Sequence, residues 1–192
     1  NPGDWGGIYV GHTSHTSIDY GLVAYGGGIT KIEGTFRAFN TIEVQQGDFR
    51  LAHSVVEQAS TGVGGQGPAD RLGRLTNVPA VIFVRGAQPV IVDNILRNND
   101  DQVVLPTSPK QAAIAIDVNS LNDDNDVDPG RQTGSIDRFA TYDDNSGPLV
   151  RGNRLARNGI NGMLIRAGNL LTEGVWDDTD MVHVVLDEII VP

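Results

Sequence analysis

The apolar positions of this chain come in short bursts, each closed by Gly or Asn. Five bursts can be stacked: GIYVG (Gly7–Gly11), TIEVQQG (Thr41–Gly47), VIFVRGA (Val81–Ala87), AIAIDVN (Ala113–Asn119) and MLIRAGN (Met163–Asn169). An aliphatic or β-branched run ended by a turn residue predicts a strand followed by a turn. Four of the five are followed by a second segment: SIDYGLVAYGGG from Ser17, DFRLAHSVVEQA from Asp48, PVIVDNILRNND from Pro89 and PLVRGNRLARNG from Pro148. The last two are near-copies. Each begins with Pro and two aliphatics, then places Asn (Asn94, Asn153), Leu two residues on (Leu96, Leu155) and a further Asn (Asn99, Asn158). Helix formers occur in LVRGNRLARNGINGML, but Gly152, Gly159 and Gly162 interrupt them.

A unit repeated in the order short strand, turn, second strand with a bend, variable loop predicts an all-β right-handed parallel β-helix of about five turns. One coil cannot bury its own inward side chains, whereas stacked coils pile like residues into aliphatic ladders. The inward set is expected to be Ile8, Val10, Ile42, Val44, Ile82, Val84, Ile114, Ile116 and Leu164, with Met163 as a further candidate. Asn94 and Asn153 fall at equivalent corners, and Asn99 and Asn158 at the next. There an Asn can tolerate a left-handed backbone and hydrogen-bond a neighbouring coil. The coils read as one domain over 1–192, with insertions near 60–76 (Gly-rich) and 119–147 (Asp-rich). An antiparallel sandwich also supplies many short strands, but the aligned near-copies favour the solenoid.

Composition narrows the chemistry. The chain has 192 residues, 39% hydrophobic and 6% aromatic, so its core is aliphatic. The net charge is -10, with 19 Asp against 5 Glu. That balance argues against nucleic acid, which needs a basic surface. It is compatible with calcium, whose ligands are carboxylate and carbonyl oxygens. The absence of Cys excludes disulfides, thiolate catalysis and Cys-type zinc sites. No apolar run approaches the ~20 residues of a spanning helix, so membrane insertion is not expected. The chain opens on NPGDWGG rather than Met and ends on LDEIIVP. Both ends read as cut from something longer, which makes the domain a fragment or processed piece.

PGDWGGIYV, SIDYGLVAYGGG and the N-x-L-x-x-N corners together resemble right-handed parallel β-helix repeat proteins of the broad pectate-lyase-like superfamily, in its large secreted bacterial multidomain members. The resemblance covers most of the chain in these pieces. It implies an extracellular or cell-surface location and makes polysaccharide chemistry worth testing residue by residue.

A lyase of this shape needs an Arg base and a calcium cluster on one outer face, and a glycosidase needs two carboxylates ~5–10 Å apart. Asp19, Glu57 and Asp93 lie on second strands and point outward on this reading, and Arg50 and Arg97 lie near them. Solvated charges are the ordinary content of an outer face. VWDD (Val175–Asp178) lacks the His of a lyase Trp-Ile-Asp-His segment, and GHT (Gly11–Thr13) is not Gly-His-Gly. In DNDVDPG, Asp124, Asp126 and Asp128 alternate as in the first half of an EF-hand loop, but Pro129 stands in the place of the turn Gly. Asp123, Asp137, Asp143 and Asp144 are near enough in sequence to complete a calcium cage. His12 and His15 form H-x-x-H without a third ligand, and GVGGQG (Gly62–Gly67) lacks the Lys-Ser/Thr of a phosphate loop. Trp5, Tyr9, Tyr20, Tyr25 and Phe49 gather on the first two coils, as packing or as a shelf for sugar rings. The expected function is therefore a non-catalytic structural or adhesive solenoid segment. Its open ends would meet flanking domains or copies of itself, with glycans as further partners. A polysaccharide-binding or polysaccharide-degrading β-helix and a calcium-dependent adhesion module are the alternatives.

Overall fold

The computed structural model describes residues 1–32, 36–62, 77–99, 110–122, 147–171, 176 and 179–192. The first coil runs β1 (Ile8–Val10), β2 (His15–Asp19) and β3 (Leu22–Ala24). The second runs β4 (Ile42–Gln45), β5 (Asp48–Ala52) and β6 (Val55–Glu57), and the third β7 (Ala80–Arg85), β8 (Val90–Val92) and β9 (Ile95–Asn99). The fourth contains β10 (Ala112–Ile116), a 3-10 turn (Val118–Leu121), β11 (Leu149–Arg151) and β12 (Arg154–Asn158). The chain then passes through β13 (Ile160–Ile165), β14 (Gly168–Asn169), β15 (His183–Val185) and β16 (Ile189–Ile190).

Among the described residues every strand ladder is parallel. One sheet has the order β1-β4-β7-β10-β13-β15, a second β2-β5-β8-β11, a third β3-β6-β9-β12, and β14 pairs with β16. This is a parallel β-helix. All five stacked bursts supply consecutive strands of the six-stranded sheet, and the final DMVHVVLDEIIVP adds the sixth. The near-copies lie in register, with Val90, Ile91 and Val92 on Leu149, Val150 and Arg151, and Ile95 and Leu96 on Arg154 and Leu155. The expected "second strand with a bend" is two strands in two different sheets, because the bend is sharp enough to turn the chain onto a new face.

The core is the set of ladders inside the coils. Val10, Ile42, Val44, Ile82, Val84, Ile114, Ile116, Phe49, Leu51, Ile91, Leu96 and Val150 are buried together, and Ile8 packs against them. One expectation fails. Met163 stands in register on Ile114 and Ile165 on Ile116, so those two enter the core. Leu164 stands on Ala115 and joins Ala80, Phe83 and Ala112 in a separate cluster on the other side of that sheet. The two tryptophans close the core at opposite ends. Trp5 packs below the first coil with its indole N–H on the Ala24 carbonyl at 2.7 Å, and Trp176 packs at the last. The core mouths are thus partly covered. The strand edges are a separate matter: among the described residues β1 and β15 each pair on one side only in their sheet.

Candidate functional site

Both corners between the second and third sheets, and after the third, are built by one device. At the first corner Tyr20, His53, Asp93 and Gly152 take left-handed backbone, with φ of 52°, 47°, 56° and 68°. At the second Tyr25, Gln58, Asn98 and Arg157 do the same. The left-handed residue turns the chain, and the residue after it carries the inter-coil hydrogen bond. Asn94, Asn99, Asn153 and Asn158 are those following residues. The left-handed conformation expected for them belongs one position earlier.

The Asn side chains form two polarised columns. The Gly21 N–H donates to Ser54 Oγ, Ser54 N–H to Asn94 Oδ1 at 2.9 Å, and Asn94 N–H to Asn153 Oδ1 at 3.0 Å. The amide nitrogens reach the other way, Asn94 Nδ2 to the Leu51 carbonyl and Asn153 Nδ2 to Ile91. In the second column Ala59 N–H donates to Asn99 Oδ1, Asn99 Nδ2 to Asn158 Oδ1 at 2.8 Å, and Asn158 to Asn161 Oδ1. The columns start at the Gly21 and Ala59 N–H groups, whose own side chains offer no oxygen to a further coil. A third amide serves the entry to the six-stranded sheet: Asn40 Oδ1 accepts from Gly62 and Ala80 N–H.

The outward charges expected on second strands meet one another. Arg50 is fully buried and donates to Asp19 Oδ2 at 3.1 Å. Asp19 Oδ1 lies 2.9 Å from His53 Nδ1, and His53 Nε2 lies 3.9 Å from Asp93. Tyr20 stacks on the His53 ring at 4.6 Å between centroids. Arg97 pairs with Glu57 at 2.7 Å. His15 pairs with Asp48. Of the other aromatics, Phe49 is core and Tyr9 meets Phe39 edge-on.

Two polar groups escaped the sequence reading. Asp117 is gripped by Arg85 at 3.1 Å and Arg166 at 2.8 Å, from the coils on either side. Burial pushes its carboxyl above the ordinary value, and the two guanidinium groups oppose that rise. The signal was present: in VIFVR, AIAID and MLIR the charge follows the same aliphatic position in three stacked strands. Glu43 is the other. It is fully buried on the six-stranded sheet, where it accepts from the Asn40 backbone and the Asn40, Asn77 and Gln45 side chains. Nothing in the spacing of TIEVQ marks that Glu as inaccessible.

Asp124, Asp126 and Asp128 lie outside the described residues, as do Asp123, Asp137, Asp143, Asp144 and most of the Gly-rich insertion. Among the described residues no three His, Asp or Glu side chains are grouped to hold a metal ion. Compared with family models, with curated proteins and with solved structures, the chain matches none.

Proposed function

We propose that this chain is a non-catalytic scaffold segment of an extracellular or cell-surface protein, and that it works through the two ends of its solenoid. One observation carries the reading. Large exposed apolar side chains sit on the first coil and the loop leaving it (Tyr20, Leu22, Tyr25, Ile29, Ile32) and at the last turns (Leu171, Val182, Val185, Leu186, Ile190, Val191). Among the described residues the second to fourth coils have none. Several outer-face charges in between pair across coils, Arg97 with Glu57 and both Arg85 and Arg166 with Asp117. Edge strands with an apolar fringe suit another stack of parallel strands, in flanking domains or in further copies. Sedimentation of the 192-residue chain over a concentration series tests this. Concentration-dependent growth in size, reduced by Val182→Lys or Leu22→Lys, supports it; a monomer throughout overturns the version that joins copies.

The pectate-lyase-like relationship belongs to the same proposal, supported by parallel coils and Asn columns at the N-x-L-x-x-N corners. A glycan-handling reading has its own observation: the exposed ring of Tyr20 lies over a His53 oriented by buried Asp19 and Arg50. Polysaccharide binding lost in Tyr20→Ala would favour it. Calcium is proposed as the ligand of the Asp124–Asp126–Asp128 insertion, to be read as a melting temperature that rises with calcium and falls back with EDTA.

A further inference from the structure

The last position of the innermost ladder is a histidine. Ile8, Ile42, Ile82, Ile114 and Met163 stand on one another in register, and His183 stands on Met163. Its ring therefore occupies a place that every earlier coil fills with an aliphatic or thioether side chain. The surroundings are Leu121, Pro148, Met163, Ile165, Trp176 and Thr179. Trp176 meets the ring edge-on at 6.4 Å, and Thr179 Oγ1 lies 2.6 Å from Nε2. None of the lining groups is charged. The described charges on the same stretch turn elsewhere: Asp180 accepts from the Gly152 N–H, and Asp187 and Glu188 are exposed beyond β15. Asp177 and Asp178 lie outside the described residues. Burial lowers the His183 pKa from its ordinary value, which favours the neutral ring.

The strands that hold this ring are lightly anchored. β15 pairs on one side only, β16 rests on the two residues of β14, and Val182, Val185, Leu186 and Ile190 are exposed. Such an element opens locally at little cost, and a cation half-buried among apolar groups adds to the drive to open.

We propose that His183 is an acid-released latch: on protonation it leaves the core end, β15 and β16 detach, and the edge of β13 with Met163 and Ile165 becomes available to a partner strand. The sign is fixed by linkage. A histidine with a depressed folded pKa supports the closed form above its ordinary value of 6.5, and that support is lost as pH falls through the folded pKa. The latch regulates one of the ends on which the scaffold reading rests, but its own test does not depend on assembly.

Amide hydrogen exchange of the whole 192-residue chain, corrected for intrinsic rate, is compared at pH 7.5 and pH 5. Residues 183–190 are expected to lose protection by about tenfold or more on acidification while β4 to β9 keep theirs. His183→Gln and His183→Leu should remove the pH dependence. Unchanged protection in the wild type, or the same acid loss in both variants, overturns the latch. If neither variant keeps β15 closed at pH 7.5, proton titration of His183 in the wild type decides, and an apparent pKa at or above the ordinary value overturns it. Acid opening without any change in sedimentation leaves the latch standing and counts against the scaffold reading alone.

Discussion

A single asparagine does three jobs at the first corner. Asn94, itself buried, accepts the Ser54 N–H, donates to the Leu51 carbonyl and meets the half-buried Asn153. Alanine there would orphan a buried donor and a buried acceptor, and each orphan costs about 1–3 kcal/mol. Denaturant unfolding of Asn94→Ala should show a loss of about 2–5 kcal/mol, and Asn94→Asp should be no better because it offers no N–H to Leu51. A different magnitude governs the ion pairs. Arg50→Ala leaves Asp19 buried without its cation and should cost about 3–5 kcal/mol. Arg97→Ala, at a pair whose Arg side chain is 44% exposed, should cost less than about 1 kcal/mol. Equal losses at the two sites would contradict the burial difference on which both estimates stand.

Strands and corners explain why so much of the fold was legible and why some of it was not. An in-register parallel stack makes like residues neighbours, so TIEVQ, VIFVR and AIAID could be aligned by eye and proved to be adjacent strands. The Asn corners were legible for the same reason. What alternation could not supply was the side on which a strand starts. β7 and β10 each send two successive residues inward, Val81 with Ile82 and Ala113 with Ile114, which breaks the period of two and obscured the setting of Leu164. Sequence also failed to separate the left-handed residue from the one that follows it, since Asp-Asn and Gly-Asn suit a turn in either frame. Glu43 was invisible because an outward carboxylate in a strand looks the same whether water or amides surround it. Asp117 turns element spacing into a pH effect. Its folded pKa is raised, so its contribution to stability is present below the ordinary 3.8 and is lost as pH rises through the folded value. Asp117→Asn does not titrate. Its melting temperature relative to the wild type should therefore improve as pH is raised from about 3.5 to 6, and a difference that stays flat or moves the other way would show that the two arginines outweigh burial.

At the scale of the molecule, the inter-strand hydrogen bonds of a parallel β-helix run along its axis, and each coil touches only its neighbours. The first strand lies at one end of the six-stranded sheet and β15 at the other. Held by its two termini and stretched, such a body bears load as a stack of rungs in series, with tension on the rungs rather than shear along them. It should yield coil by coil, in the manner of a zipper opened from the ends, at modest force. Optical-trap extension would then give a staircase whose step is the contour of one coil, roughly 130–140 Å for a coil of about 40 residues. A molecule that lets out slack in fixed increments is a yielding tether, able to lengthen under pull while the coils still folded keep their grip.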